Sequence, residues 1–287
     1  MMAKQSLKRP LLYISAAIIL LALFWGAKDK IDWYNQNLSY LQSDLPSDVN
    51  TDAVQRIVDL FSGYDVFING IGFGNSGFYP VLVMLCVGFL FTGNFAKRLS
   101  DGSGITEIVR IGYKRYYKKE VIKNFISSFL FVAIILSCFL ILCLCLYSGK
   151  LPTKGYASSI TTATDLFYRF PLLYCIIQIL NQACFLGLFS VMAMSTASFY
   201  TNTFVNRVSP LILYLFLTVV AQLLYNFTKI PWFILMFPDL IFVPFNIEGG
   251  TLLGFVGEKI CAYLILLTVT ACFQIYAYRK YRCNYLK

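Results

Sequence analysis

Residues 72–77 read Gly-Phe-Gly-Asn-Ser-Gly, a complete G-x-G-x-x-G, the glycine pattern that opens dinucleotide-binding sites. In such a site the loop follows a strand and starts an amphipathic helix, whose N-terminal N–H groups receive a pyrophosphate. The preceding YDVFIN has the composition of a strand, but the stretch that follows, 78–96, carries no charge and has no polar face. A helix of that kind belongs in lipid rather than on the surface of a βαβ unit. The glycines are therefore expected to form a flexible turn, packed closely at the outer surface, that leads into a membrane helix.

The other residue types that carry chemistry are sparse or scattered. The chain has no histidine, which excludes H-E-x-x-H metalloproteases and His-dependent nucleophile systems. It has no G-x-x-x-x-G-K-[ST] loop, so it is not expected to hydrolyse ATP by a P-loop. Of its nine cysteines, eight fall in apolar runs and Cys283 in the C-terminal tail. None has the spacing or partners of a disulfide framework or a zinc site, so they read as small packing residues. No catalytic constellation, metal site or cofactor is expected.

The elements that must position whatever remains are membrane helices. Hydrophobic residues make up 58% of the 287-residue chain and charged residues only 13%, a balance outside that of ordinary globular proteins. Charge-free runs at 10–27, 66–96, 125–149, 170–206, 208–228 and 260–278 are each long enough for the roughly 20-residue helix that crosses about 30 Å of hydrocarbon. The expected fold is all-α: one polytopic transmembrane domain with six spans, near 11–27, 79–96, 124–147, 171–199, 209–227 and 260–278. Segment 28–77 is expected as an outer loop, with an amphipathic helix carrying Val54, Ile57, Val58 and Phe61, and 97–123 as a cytoplasmic loop. Before the last span, Pro231, Pro238 and Pro244 interrupt an apolar segment every six or seven residues, the pattern of short broken helices in the outer leaflet. The first span ends on Phe24 and Trp25 where a cleaved signal peptide would carry small residues, so it reads as a retained helix.

Charge sets the expected orientation. With six spans both termini share a side, and that side holds sixteen of the 24 basic residues and only Asp101, Glu107 and Glu120 of the 14 acids. The positive-inside rule makes it cytoplasmic. The net charge of +10 is thereby explained by membrane sorting, and no nucleic-acid partner is expected.

Acidic residues avoid the expected span centres, which argues against a proton-coupled carrier, since such carriers keep ionisable groups there. The polar residues inside are amides. Gln178, Asn181 and Gln182 share one face of the fourth span, and Gln222 and Asn226 lie on the fifth. They are candidate pathway residues, although interhelical hydrogen bonding is the plainer account of them.

The cytoplasmic loop has a pattern of its own. After Asp101, Gly102 and Gly104, the run ITEIVRIGYKR puts Ile105, Ile108, Val109, Gly112 and Tyr116 on one helical face and Glu107, Arg110 and Lys114 on another. A short amphipathic helix is expected over 104–114, followed by a lysine- and tyrosine-rich stretch at the headgroups that enters the third span near Lys119 or Lys123.

In this loop the chain resembles the membrane subunits of ATP-binding-cassette exporters of the type-2 permease class. The matching features are the glycines, the amphipathic aliphatic run, the basic patch and the lysine entering the third span. Six spans, a long first outer loop and a broken apolar segment before the last span match as well. The chain departs from the family at IGYKR, where many members carry proline-serine-arginine. The resemblance implies that Gly104, Ile105, Glu107, Ile108, Val109, Arg110 and Lys114 dock into a separate cytoplasmic ATP-binding-cassette ATPase. It also implies a second permease copy, identical or related, residence in a bacterial plasma membrane, and ATP-driven export of a hydrophobic or amphipathic compound such as a drug or antimicrobial peptide. Two other readings stand beside it: a non-transporting membrane scaffold or assembly factor, and a lipid-modifying enzyme, for which no acid, base or nucleophile cluster is present.

Overall fold

The computed structural model describes residues 8–42, 58, 61–72, 78–152, 165–199, 202–229 and 252–285. Among them every regular element is helical. In chain order these are α1 (Lys8–Gly26), α2 (Lys28–Gln42), α3 (Gly63–Ile71), α4 (Phe78–Val87), a π-helical turn (Gly88–Thr92), α5 (Gly93–Ser100) and α6 (Ser103–Ile111). There follow α7 (Tyr113–Tyr147), α8 (Asp165–Arg169), α9 (Pro171–Met194) with a 3₁₀ turn (Ser195–Ser198), α10 (Thr203–Thr228) and α11 (Leu252–Tyr285). Five helical stretches are long and apolar enough to cross a membrane: Phe78–Arg98, Tyr113–Tyr147, Pro171–Ala197, Thr203–Thr228 and Lys259–Lys280. A sixth crossing is reached if α1 and α2, bent by 57° at Ala27, count as one. Local chemistry sets several boundaries. Asn202 caps α10 by accepting from Phe204 N–H at 2.8 Å, and Pro171, whose missing N–H costs nothing in a first turn, opens α9.

The bundle is built around α7 and α9. At one end Asn124 donates to the carbonyl and hydroxyl of Ser190 at 2.9 Å, and Ser128 donates to the same hydroxyl at 2.8 Å. A Cβ on Gly187 would stand 2.9 Å from the Phe125 ring, so glycine allows this approach. Small and hydroxyl residues draw apolar helices together in this way, because lipid-like surroundings offer no hydrophobic drive between them. Phe139, Leu136, Phe185 and Phe189 fill the core along the pair. At the end bearing Lys97, Arg98 and Arg207, α10 crosses the π turn: a Cβ on Gly88 would lie 1.9 Å from the Arg207 carbonyl, and Thr92 donates to the Asn206 carbonyl at 3.1 Å. Helix α11 joins through Tyr263, which donates to Asn181 Oδ1 at 2.8 Å.

Helices α3 and α4 run in series alongside this pair. Gly63 N–H donates to Ser148 O at 2.8 Å, just beyond the end of α7, and all nine residues of α3 are buried. Eight residues on, Ile71 O accepts from Gln182 Nε2 at 3.3 Å, and Tyr79, at the start of α4, donates to Gln182 Oε1 at 2.7 Å. The line continues through Cys86 beside Ser15 to Thr92 beside Asn206. The two helices thus form one interrupted traverse of the bundle. Residues 73–77 lie outside the described residues, but their flanks, Ile71 and Tyr79, both meet Gln182 in the bundle interior.

This corrects one sequence expectation. Segment 28–77 is not a plain loop, because α2 packs through Trp33 and Tyr34 on Phe61 while α3 is a fully buried helix. The turn expected of the glycines falls mainly on 73–77, outside the described residues. The physical reason is length: nine residues are too few to register as a span, although the charge-free run 66–96 already contained most of α3. Val54 and Ile57 of the expected amphipathic helix, and the proline-broken segment near Pro231, Pro238 and Pro244, lie outside the described residues, while Phe61 is buried and outside any helix.

Candidate functional site

Two glycines isolate α6 from its neighbours. Gly102 (φ 71°) precedes it and Gly112 (φ 81°) follows it, both in backbone conformations that side chains disfavour. A Cβ at either would meet nothing within 4 Å, so the backbone angle and not crowding selects glycine there. The nine-residue helix between them is consequently free to sit at its own angle, and the chain resumes as α7, whose 35 residues extend about 52 Å, well beyond a bilayer core of about 30 Å.

One side of α6 is pinned. Ile108 is buried with Phe95, Tyr113, Tyr116 and Tyr117. Gly104 is buried too, and a Cβ there would come within 2.9 Å of Tyr116 Oη and 3.1 Å of the Arg98 carbonyl, so α6 approaches α5 and α7 closely. Charge completes the seat. Arg98 Nη1 lies 2.6 Å from Glu120 Oε1 and 3.9 Å from Glu107 Oε2, while Lys119 Nζ lies 2.7 Å from Glu107 Oε1. The Lys119 ammonium hydrogen-bonded to Glu107 holds its carboxyl below the usual glutamate range.

The other side is bare. Val109 is 81% exposed and Ile105 43% exposed, and Arg110 projects beside them. The single aliphatic face expected from the sequence is therefore divided, with Ile108 inward and Ile105 and Val109 outward. Lys114 does not belong to this helix. The left-handed Gly112 ends α6, and Lys114 falls in the first turn of α7, exposed. Gly112 and Tyr116 likewise do not extend the α6 face.

The amides separate in the same fashion. Gln178 and Gln182 are fully buried, Gln182 linking α3, α4 and α9 while neither amide atom of Gln178 has a hydrogen-bond partner among the described residues. Asn181 faces α11 through Tyr263. Gln222 and Asn226, by contrast, are exposed on α10 and do not join this interior group. Sequence reading also missed Asp65. It is 2% exposed in the first turn of α3, with Lys30 of α2 as an attracting charge and its own carbonyl accepting from Asn69 Nδ2 at 2.7 Å. A carboxylate in the first helical turn complements the N-terminal dipole, and the Ser62 cap that accepts from Tyr64 N–H was a legible signal of that helix start.

Among the described residues no group of three or more histidine, cysteine, aspartate or glutamate side chains is placed to hold a metal ion. No family model, curated protein or solved structure matches the chain.

Proposed function

We propose that this chain is the membrane permease subunit of an ATP-driven exporter. In this reading the basic end is cytoplasmic, a separate ATP-binding-cassette ATPase grips α6, and two permease copies enclose a pathway for a hydrophobic or amphipathic compound. The observation that carries the proposal is α6 itself: a short helix hinged by two left-handed glycines, seated on one side by ion pairs and presenting Ile105, Val109 and Arg110 on the other. An exposed aliphatic pair rimmed by a cation is suited to insertion into a groove on another protein.

The mechanism is mechanical, and the chain itself supplies no catalytic group. Closure of the ATPase around ATP displaces α6. The displacement passes to α5 through Arg98 and to α7 through Lys119 and the tyrosine cluster, with the Arg98–Glu120 pair linking α5 to α7. Helix α5 continues through the π turn into α4, so motion at the basic end reaches Tyr79 and the Gln182 junction in the interior. A broken crossing beside buried amides provides polar groups that exchange partners as the halves shift, the arrangement by which membrane carriers build pathway sites. Gln178 and Gln182 are the pathway residues this geometry favours.

The orientation is tested by placing cysteine at Val109 in a background lacking the exposed native cysteines and labelling with a membrane-impermeant thiol reagent. Labelling in inside-out vesicles and protection in intact cells is expected. Labelling in intact cells overturns the proposal.

A further inference from the structure

Beside α6, where α7 leaves the bundle, the first three turns of α7 and the far end of α11 enclose an open groove of about 980 Å³. Its basic wall is Lys114, Arg115 and Lys118, and Tyr117, Tyr278 and Ile275 are among its other lining residues. The three cations are exposed on α7, and among the described residues none is in an ion pair. Two of the three acids of this region, Glu107 and Glu120, are engaged elsewhere by Lys119 and Arg98. Among the described residues the groove therefore holds concentrated positive charge with no acidic side chain in its lining.

The surface next to it changes character within one helical turn. From Lys118, steps of four along α7 reach Ile122 (46% exposed), Ile126 (47%) and Leu130 (49%), an uncovered aliphatic track on the face that begins with the cation. On α11 the exposed Ile275 leads towards Leu267 in the same direction. A cationic, tyrosine-edged recess above an apolar track matches a molecule with an anionic head and a hydrocarbon tail. A soluble acidic peptide would satisfy the cations and leave the track bare.

We propose that this groove is a binding site for an anionic phospholipid of the cytoplasmic leaflet. The head group's phosphate is held by Arg115 and Lys118, with Lys114 at the rim, and one acyl chain lies along Ile122 and Ile126. The proposal rests on the orientation given above. Because α7 also carries Glu120 and the tyrosines that seat α6, a bound lipid fixes the stretch of helix through which the ATPase acts.

The test uses the purified full-length chain in neutral detergent, with bound lipid counted by native mass spectrometry. Phosphatidylglycerol is expected to be retained in preference to phosphatidylcholine, and R115Q/K118Q is expected to lose roughly 30-fold in phosphatidylglycerol affinity, about fivefold for each charge removed. Equal retention of the two lipids, or unchanged affinity in the double variant, overturns the site. Inorganic phosphate at matched ionic strength is expected to displace the lipid no better than chloride does. Displacement by phosphate alone means the groove reads the anion and not the lipid. A second measurement needs no substitution: a photoactivatable phosphatidylglycerol with its reactive group in the acyl chain is expected to label peptides covering 122–130 or 267–275 of the native chain. Labelling confined to other segments overturns the assignment. These readouts require no ATPase, so a failure here is distinct from a failure of the exporter reading; the thiol-labelling result separates the two.

Discussion

Arg98 Nη1 stands 2.6 Å from Glu120 Oε1, joining two residues that α6 separates in the sequence. The carboxylate is nearly buried, its side chain 7% exposed, while the guanidinium is 36% exposed. This pair ties the end of the interrupted crossing to the start of α7, and it frames the seat of α6.

Removing one partner should cost more than removing both. Arg98→Gln strands the Glu120 carboxylate in a buried position, at a cost of about 1–3 kcal/mol. The double variant R98Q/E120Q is expected to recover part of that loss. Unfolding in detergent, analysed as a double-mutant cycle, measures the coupling, and strictly additive losses would show that the pair contributes nothing.

The seat of α6 should loosen in acid. Glu107 has its folded-state pKa depressed by the Lys119 hydrogen bond, so its contribution is fully present above the ordinary glutamate value of about 4.3 and is lost as pH falls through the lower folded value. A spin label at Thr106, in a cysteine-depleted background, should keep constant mobility from neutral pH down to about 5 and gain mobility below the ordinary value. Glu107→Gln should show the mobile spectrum throughout. A Glu107→Gln spectrum identical to the wild type would remove the ion pair from the account of α6.

The Gln182 junction should behave as a coupled unit. Tyr79→Phe deletes the donor to Gln182 Oε1 and leaves that oxygen buried, at a cost of about 0.6–2 kcal/mol. Gln182→Leu breaks the links to both Tyr79 and the Ile71 carbonyl and should cost more. If the exporter proposal holds, the same two variants alter transport more than an equally destabilising core change such as Leu136→Ala. Equal effects at equal stability would reduce the junction to packing.

Close backbone approach at Gly88 predicts the most severe single-methyl effect among the described glycines. A Cβ would fall 1.9 Å from the Arg207 carbonyl, a position backbone atoms cannot vacate without separating α10 from the π turn. Gly88→Ala should therefore lower the yield of folded protein by more than Gly102→Ala, where the added atom meets no neighbour and only the φ of 71° is strained. Size-exclusion profiles of the two variants make the comparison.

Much of the helical layout was legible because hydrocarbon imposes a length and a charge filter that this chain obeys. The expected spans at 79–96, 124–147, 209–227 and 260–278 fall within long helical stretches, and a helix stands where one was expected over 104–114, although it runs Ser103–Ile111 and stops at Gly112. What stayed hidden depends on partners remote in sequence. Helix α3 carries Asp65 and Asn69, which read as loop residues until α2, α7 and α9 enclose them. Glu120 looks like one charge in a basic patch until Arg98, 22 residues earlier, reaches it. Gln222 and Gln182 are the same residue type on apolar helices, and nothing in the local pattern separates the exposed one from the buried one. The bend at Ala27 and the π turn at Gly88–Thr92 likewise follow from how neighbouring helices approach.

The most direct test of the exporter reading is co-purification of the tagged chain from its native membrane, scored by vanadate-sensitive ATP hydrolysis in the eluate. The wild type should bring an ATP-binding-cassette ATPase with it, and Arg110→Glu on α6 should insert into the membrane normally yet elute without that activity. An eluate devoid of ATPase from the wild type, or undiminished activity from the charge-reversed variant, contradicts the claim that a partner grips this chain through α6.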